Sequence, residues 1–335
     1  MAVNRVLVTD DGYLDRIWPY VPARLAAALD GLSVERVEAG APVDWAGVVA
    51  VALFGGDLSA DDVAAATDLR VVGGVFDACG IGALAALRER GIPLVDVTRA
   101  WAPSVAEVGL ALVLNGLRRL PQWHAAVAAG TAEWPWSQAV DDPAFVNGDL
   151  GTKRVGVVGL GEIGGRIARW CAAIGATVAA YDPYAPDARF AAAGATRADL
   201  DDLVANAEVL VVAVPPTPSA TGLVNAARVA ALRPGALVVT ITRATGIDTE
   251  ALRARVLDGT LAWAADVYDV EPLPPGDPIV GRANVVHLPH VAGRTRDANH
   301  RVADLLAADV RAVLAGRPAA CALSDEAVAV RTGTA

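Results

Sequence analysis

From residue 154 onward, short unbroken apolar runs alternate with stretches of helical character. RVGVVGL (154–160), TVAAYD (177–182), EVLVVAVP (208–215), ALVVTIT (236–242), LAWAADVY (261–268) and NVVHLP (284–289) read as strands. Between them, Ile163–Ala173, 199–206, 225–232 and a stretch starting at Asp248 read as helices. Continuous rather than alternating hydrophobicity marks strands buried on both faces, and their alternation with helices marks a parallel sheet covered on both sides. The first hundred or so residues repeat the pattern on a smaller scale. RVLVTD (5–10), VVAVALFG (48–55), LRVVGGV (69–75) and IPLVDV (92–97) are the strands, with Arg24–Leu29 and Ala83–Arg90 helical. The fold class is therefore α/β, doubly wound, in two units.

Three segments lie outside the alternation. Ser104-Val-Ala-Glu107 has the spacing of a capping box and opens a helix that runs to about Arg119. Residues 121–152 carry Trp123, Trp134 and Trp136 without periodicity and read as a loop used in function or assembly. A last apolar helix spans about 299–315, and the residues after Ser324 read as weakly ordered.

Composition narrows the function. The 335 residues are 54% hydrophobic and 20% charged, enough to bury a sizeable core. No run approaches the ~18 uninterrupted apolar residues of a membrane helix, and the N-terminus lacks a leader pattern, so a cytoplasmic chain is expected. A net charge of −10 disfavours nucleic acid and anionic membrane as partners. Lys153 is the only lysine, which leaves little room for Schiff-base chemistry. Cys79, Cys171 and Cys321 are odd in number and widely spaced, so neither a disulfide framework nor a metal site is expected. Cys171, among apolar residues, reads as a small buried hydrophobe.

GLGEIG (159–164) is a G-x-G-x-x-G turn between a strand and a helix, and Asp182 closes the next strand 18 residues after Gly164. In that setting Gly159 permits the turn, Gly161 lets a pyrophosphate approach the backbone, and Gly164 lets helix and strand pack closely. The N–H groups of Glu162 and Ile163 face the phosphates at the positive end of the helix dipole. Asp182 can accept from the ribose hydroxyls and repels a 2′-phosphate, so the expected cofactor is NAD rather than NADP.

VPPTPSATGLV (214–224), TRATGIDTEAL (242–252), AADVYDVEPLP (264–274) and NVVHLPHVAGR (284–294) then follow. With these motifs, and from about Asp61 to Asp304, the chain resembles the D-isomer-specific 2-hydroxyacid dehydrogenases, which include glyoxylate/hydroxypyruvate reductases and phosphoglycerate dehydrogenases. The resemblance implies a Rossmann NAD domain (104–293) inserted into a smaller flavodoxin-like substrate domain (1–103 with 294–335), and a homodimer. It implies reversible hydride transfer between NADH and a small 2-oxo acid, giving a D-2-hydroxy acid. The family arginine falls at Arg243, its glutamate at Glu271 in DVYDVEP, and its histidine at His290 in LPHVAG. A guanidinium can grip a carboxylate with two bonds while polarising the 2-keto oxygen. By resemblance, Glu271 hydrogen-bonds His290 and favours the imidazolium that protonates the nascent alkoxide. Asp266, Thr242, Pro215, Thr221 and Gly293 are implied along the cofactor. Of the other histidines, His287 reads as structural, His300 as solvated on the last helix, and His124 has no motif around it.

The chain departs from the family pattern at three places. Thr240 stands for asparagine and Ala244 for glycine around Arg243, the latter bearing on the turn's geometry. The substrate loop Gly73-Gly74-Val75-Phe76-Asp77-Ala78-Cys79-Gly80 keeps only Gly73 and Asp77, and Trp101 is bulkier than usual. Gly74, Val75, Phe76 and Trp101 are the expected substrate contacts beside Arg243, with Phe76 and Trp101 walling an apolar pocket. These departures leave room for an unusual acid, such as a phosphonate or a secondary-metabolite precursor, and an NAD-binding scaffold without turnover is the rival class.

Overall fold

The computed structural model describes residues 4–76, 82–132 and 148–332, with side chains through residue 329. The chain divides into two compact units, Met1–Ala102 with Arg294–Val330, and Pro103–Gly293.

The first unit holds β1 (Arg5–Asp10), β2 (Ser33–Glu38), β3 (Val48–Leu53), β4 (Val71–Gly74) and β5 (Leu94–Asp96), paired in parallel in the order β2-β1-β3-β4-β5. β3 is buried along its whole length, as its unbroken apolar run requires. One face packs Val6, Val8, Ala50 and Ala52 against Val302, Leu306 and Val310 of the helix Arg296–Leu314. Arg24 clamps that helix through both oxygens of Asp304, at 2.7 and 2.9 Å. The other face packs Leu7, Val51 and Val72 with Leu58, Val63 and Leu87.

The second unit holds β6 (Arg154–Val158), β7 (Thr177–Tyr181), β8 (Thr196–Arg197), β9 (Val209–Val212), β10 (Leu237–Thr240), β11 (Ala262–Ala265) and β12 (Val285–His287). All pair in parallel, in the order β12-β11-β10-β9-β6-β7-β8. The order reverses between β6 and β9, the switch point outside which such sheets leave a crevice at the strand C-termini. Val158 stands opposite both Tyr181 and Val212, and Ala265 opposite both Thr240 and His287. Register alone therefore sets the chain after each strand side by side. The strands are shorter than the apolar runs suggest, and the excess (213–215, 266–268, 288–289) forms the loops of the candidate site.

Several expectations are corrected. The helix Ala102–Arg118 continues a 3-10 turn at Thr98–Trp101, so Ser104 lies inside it and cannot be its N-cap. Asp96 starts that turn by accepting from the Thr98 N–H and hydroxyl. A genuine capping box forms instead at Ser59 and Asp62. Residues Leu120–Ala128 are helical, not loop, and none of their side chains is buried. Trp134 and Trp136 lie outside the described residues. The chain after Ser324 forms the helix Asp325–Thr332, seated by buried Val328 and an Arg88–Asp325 ion pair at 2.8 Å. Thr98–Arg118 is long and apolar enough to cross a membrane, but Leu112, Val113 and Leu117 are buried within the fold. Gly109 and Gly116 bring that helix against Ile167 and Leu237, where a Cβ would meet side-chain carbons at 2.4 and 2.6 Å.

Candidate active site

The glycine turn after β6 has the shape its spacing demands. Gly159 has φ +91°, and a Cβ there would meet the Ala213 carbonyl oxygen at 2.8 Å. A Cβ on Gly164 would stand 2.0 Å from the Gly159 carbonyl oxygen, so only glycine lets the helix Glu162–Ile174 come this close. At Gly161 the opposite holds: a Cβ would meet nothing within 4 Å. Gly161 is the N-cap and has no side chain with which to cap this helix, which leaves room beside its first turn. These features fit a dinucleotide pyrophosphate. Asp182, at the end of β7, accepts from the Leu160 N–H at 2.8 Å through one oxygen and from Tyr184 and Ala185 through the other. It thus ties the glycine turn to its own strand end.

Pro215 and Thr221 are exposed in the loop after β9, where Thr221 Oγ donates to the Thr217 carbonyl. Thr242 Oγ donates across to the Val214 carbonyl at 2.7 Å, joining the loops after β10 and β9. Arg243 follows in extended backbone, half-buried, with Nη1 2.7 Å from the Thr242 carbonyl. Ala244 begins a short 3-10 turn without positive φ, so this turn does not need glycine. Thr240, in place of asparagine, is fully buried; it accepts from Trp263 Nε1 at 3.0 Å and donates to the Val267 carbonyl at 3.1 Å. The substitution is thereby absorbed into the tie between β10 and the loop after β11.

Glu271 and His290 meet at the ends of β11 and β12. His290 Nδ1 lies 2.6 Å from Glu271 Oε2, and Glu271 Oε1 accepts from the Tyr268 N–H at 2.8 Å. A carboxylate only accepts, so Nδ1 carries the hydrogen and Nε2 is the ring atom left for proton exchange. His290 is held at φ +53°. Asp266, almost fully buried, holds it there: its carbonyl accepts from the His290 N–H, and its carboxylate oxygens accept from Val291 and Ala292. Gly293 follows, half-buried.

His287 has both ring nitrogens engaged, as expected of a structural histidine. Its Nδ1 lies 3.0 Å from the Tyr268 hydroxyl and its Nε2 3.1 Å from the Ile279 carbonyl. Burial lowers its pKa, more than the Ile279 carbonyl and nearby Asp277 raise it, so the ring is held neutral. Arg253, missed in the sequence, binds Asp277 and Asp269 at 2.8 Å on either side of the Glu271 loop. Its only signal is indirect: two acidic residues flank the EP motif with no basic residue between them. His124 is exposed, and His300 packs edge-on against Tyr20 rather than standing free in solvent.

In the first unit, a Cβ on Gly74 would strike the Leu53 carbonyl oxygen at 2.3 Å. Val75 and Phe76 turn their side chains into the core. Trp101 stacks on Trp18, with ring centroids 5.6 Å apart. Asp77, Ala78, Cys79 and Gly80 lie outside the described residues. Burial pushes the Cys171 thiol up to about 12, which removes it as a nucleophile. Among the described residues, no three His, Cys, Asp or Glu side chains group to hold a metal.

Residues 110–292 match the family described as D-isomer specific 2-hydroxyacid dehydrogenase, NAD binding domain. The chain is 32% identical over 266 residues to a D-3-phosphoglycerate dehydrogenase of Archaeoglobus fulgidus, covering 78% of this chain and 48% of that protein. It thus spans about half the length of that relative. It is 31% identical over 253 residues to a glyoxylate reductase of Thermofilum pendens, covering 72% and 71% of the two chains. A D-isomer specific 2-hydroxyacid dehydrogenase from Xanthobacter autotrophicus Py2, solved with NADPH and MES, superposes with a TM-score of 0.74 at 26% identity, covering 96% of this chain and 98% of that one. The glycine turn, the Glu271–His290 pair and these likenesses agree: the chain belongs to the D-isomer specific 2-hydroxyacid dehydrogenase family.

Proposed function

We propose that the protein is an NAD-dependent dehydrogenase that interconverts a 2-oxo acid and its D-2-hydroxy acid. The observation that carries this reading is the 2.6 Å contact of Glu271 Oε2 with His290 Nδ1, in the loops that follow neighbouring strands of the glycine-turn sheet. A bound nicotinamide supplies the hydride in one direction and takes it up in the other. The chain's own groups do the rest. His290 Nε2 gives a proton to the oxygen that becomes negative as the carbonyl is reduced, and takes it back in reverse. Glu271 fixes the ring and stabilises its charged form. Arg243 grips the carboxylate and polarises the keto oxygen. The N–H groups of Glu162 and Ile163 hold the pyrophosphate, and Asp266 keeps the His290 loop in place beside Gly293.

The test is single-turnover NADH oxidation over a panel of 2-oxo acids. His290→Gln is expected to lose about 10²–10⁴-fold in kcat while still binding NADH. NADH binding by the wild type without turnover on any acid favours a scaffold, and wild-type turnover by His290→Gln removes the assignment.

NAD is favoured over NADP because Asp182 brings a carboxylate to the ribose end of the turn. Arg197, close by, is bound to the Asp182 and Ala185 carbonyls and to Asp187. Asp182→Ala should raise the NADPH:NADH preference in kcat/KM, and an unchanged ratio would remove this reading of Asp182. A homodimer is supported by the helix Leu120–Ala128, which exposes Leu120, Trp123 and Val127 on one face. Trp123→Glu should shift the sedimentation coefficient toward that of a monomer.

A further inference from the structure

Tyr268 and His287 lie beneath the Glu271–His290 pair and take no part in the reaction just described. Tyr268 precedes Glu271 by three residues, and His287 precedes His290 by three. The two segments are therefore joined twice at equal spacing, by Tyr268 to His287 at 3.0 Å and by Glu271 to His290 at 2.6 Å. We propose that the Tyr268–His287 contact is a strut that sets the Glu271 carboxylate on the His290 ring, which makes both residues positioning residues for proton transfer. The proposal rests on the reading of His290 as the acid/base.

The hydrogen count fixes the direction of the bond. The Ile279 carbonyl near His287 Nε2 can only accept, so Nε2 carries the hydrogen and Nδ1 of the neutral ring is bare. The Tyr268 hydroxyl therefore donates to Nδ1; the Ala265 carbonyl, at 3.3 Å, is at most a longer second branch. Aromatic packing holds the Tyr268 ring in place. Trp263 meets it edge-on with centroids 5.6 Å apart, and His287 stacks at 6.1 Å. With its ring anchored, the Tyr268 N–H is directed at Glu271 Oε1, and that bond leaves Oε2 facing His290. Arg253, through Asp269 and Asp277, restrains the flanks of the same loop. Burial favours the neutral His287 that the strut requires.

Three variants test the strut. Tyr268→Phe keeps the ring and removes the donor. His287→Leu keeps the bulk and removes both hydrogen bonds. His287→Gln retains an N–H for Ile279 and a carbonyl for Tyr268. Tyr268→Phe and His287→Leu should lower kcat about tenfold, because a small displacement of a proton-transfer pair is costly. KM for the oxo acid and the affinity for NADH should stay within about twofold of wild type. His287→Gln should recover most of the lost kcat, whereas a packing role predicts the reverse, with leucine tolerated and glutamine harmful. A readout without substrate is the low-field proton resonance of His290 Nδ1–H, which reports its bond to Glu271 and should move upfield in Tyr268→Phe. Folded Tyr268→Phe with wild-type kcat and an unmoved resonance overturns the strut. A moved resonance in a protein that turns over no oxo acid keeps the strut and overturns only the dehydrogenase reading.

Discussion

In each unit the first strand is a parallel one that turns into a helix, and the two turns end differently. After β1, Asp10 folds back over the helix Tyr13–Ile17 and accepts from the Gly12 and Leu14 N–H groups at 3.0 Å, while Arg36 pairs with its other oxygen. The positive end of that short helix is already occupied by the chain's own carboxylate. After β6, Gly161 supplies no side chain, and the acidic residue comes from the end of the next strand and binds the turn behind the helix. An anion site therefore requires more than a helix N-terminus at a strand end: the chain must withhold its own cap there.

The difference can be broken by substitution. Gly164→Ala should have the largest effect, because its Cβ would meet a backbone oxygen that cannot move aside. A loss of roughly 3 kcal/mol in urea unfolding is expected, together with NADH affinity. Gly161→Ala is the matched control, with ordinary φ and open space: stability should hold while NADH affinity falls, and equal losses in both variants would erase the distinction drawn between them. Asp10→Asn comes next, at about 1–2 kcal/mol, with no change in NADH binding.

The same contrast appears in the pH dependence. Burial raises the Asp10 carboxyl, but the Leu14 N–H, Arg36 and the Gly12 N–H outweigh it, so its pKa lies below the ordinary carboxylate value. Its contribution is thus full above the unfolded value of about 3.9 and is lost as pH falls through the lower folded one. Asp10→Asn should remove that part of the acid transition. His287 gives the smallest effect. Its folded pKa is depressed below 6.5, so stability is full above about pH 6.5 and declines below it, toward the folded value. His287→Gln should flatten that slope in thermal melts taken between pH 7 and pH 5.

Legibility in the sequence followed burial. β3 and β9–β11 were readable because they are apolar throughout. β2, SVERVE, escaped notice because it is a half-exposed edge strand held by ion pairs such as Arg5–Glu35. The helix Leu120–Ala128 has no fully buried side chain and so leaves no periodic stripe to read. Ser104 shows the opposite failure, since a correct local motif was overridden by a helix entering from the preceding 3-10 turn. At the candidate site, Glu271 and His290 carry local motifs, and the structure brings them together. Arg253 and the Tyr268–His287 contact carry none, because their partners lie 16 to 24 residues away: Arg253 reaches Asp269 and Asp277 from the helix before β11, and the pairing of β11 with β12 unites Tyr268 with His287.

Asp266 takes the amides of three consecutive residues, the first of them His290, and its anchors all belong to β10, β11 and the segment after β12. The histidine's seat is thus inherited as one block. Replacements at residues 75–80, none of which is among these partners, are expected to leave it in place. Directed evolution toward new acids should therefore accumulate replacements in that earlier stretch, while positions 266 and 290–292 remain nearly invariant in every surviving clone.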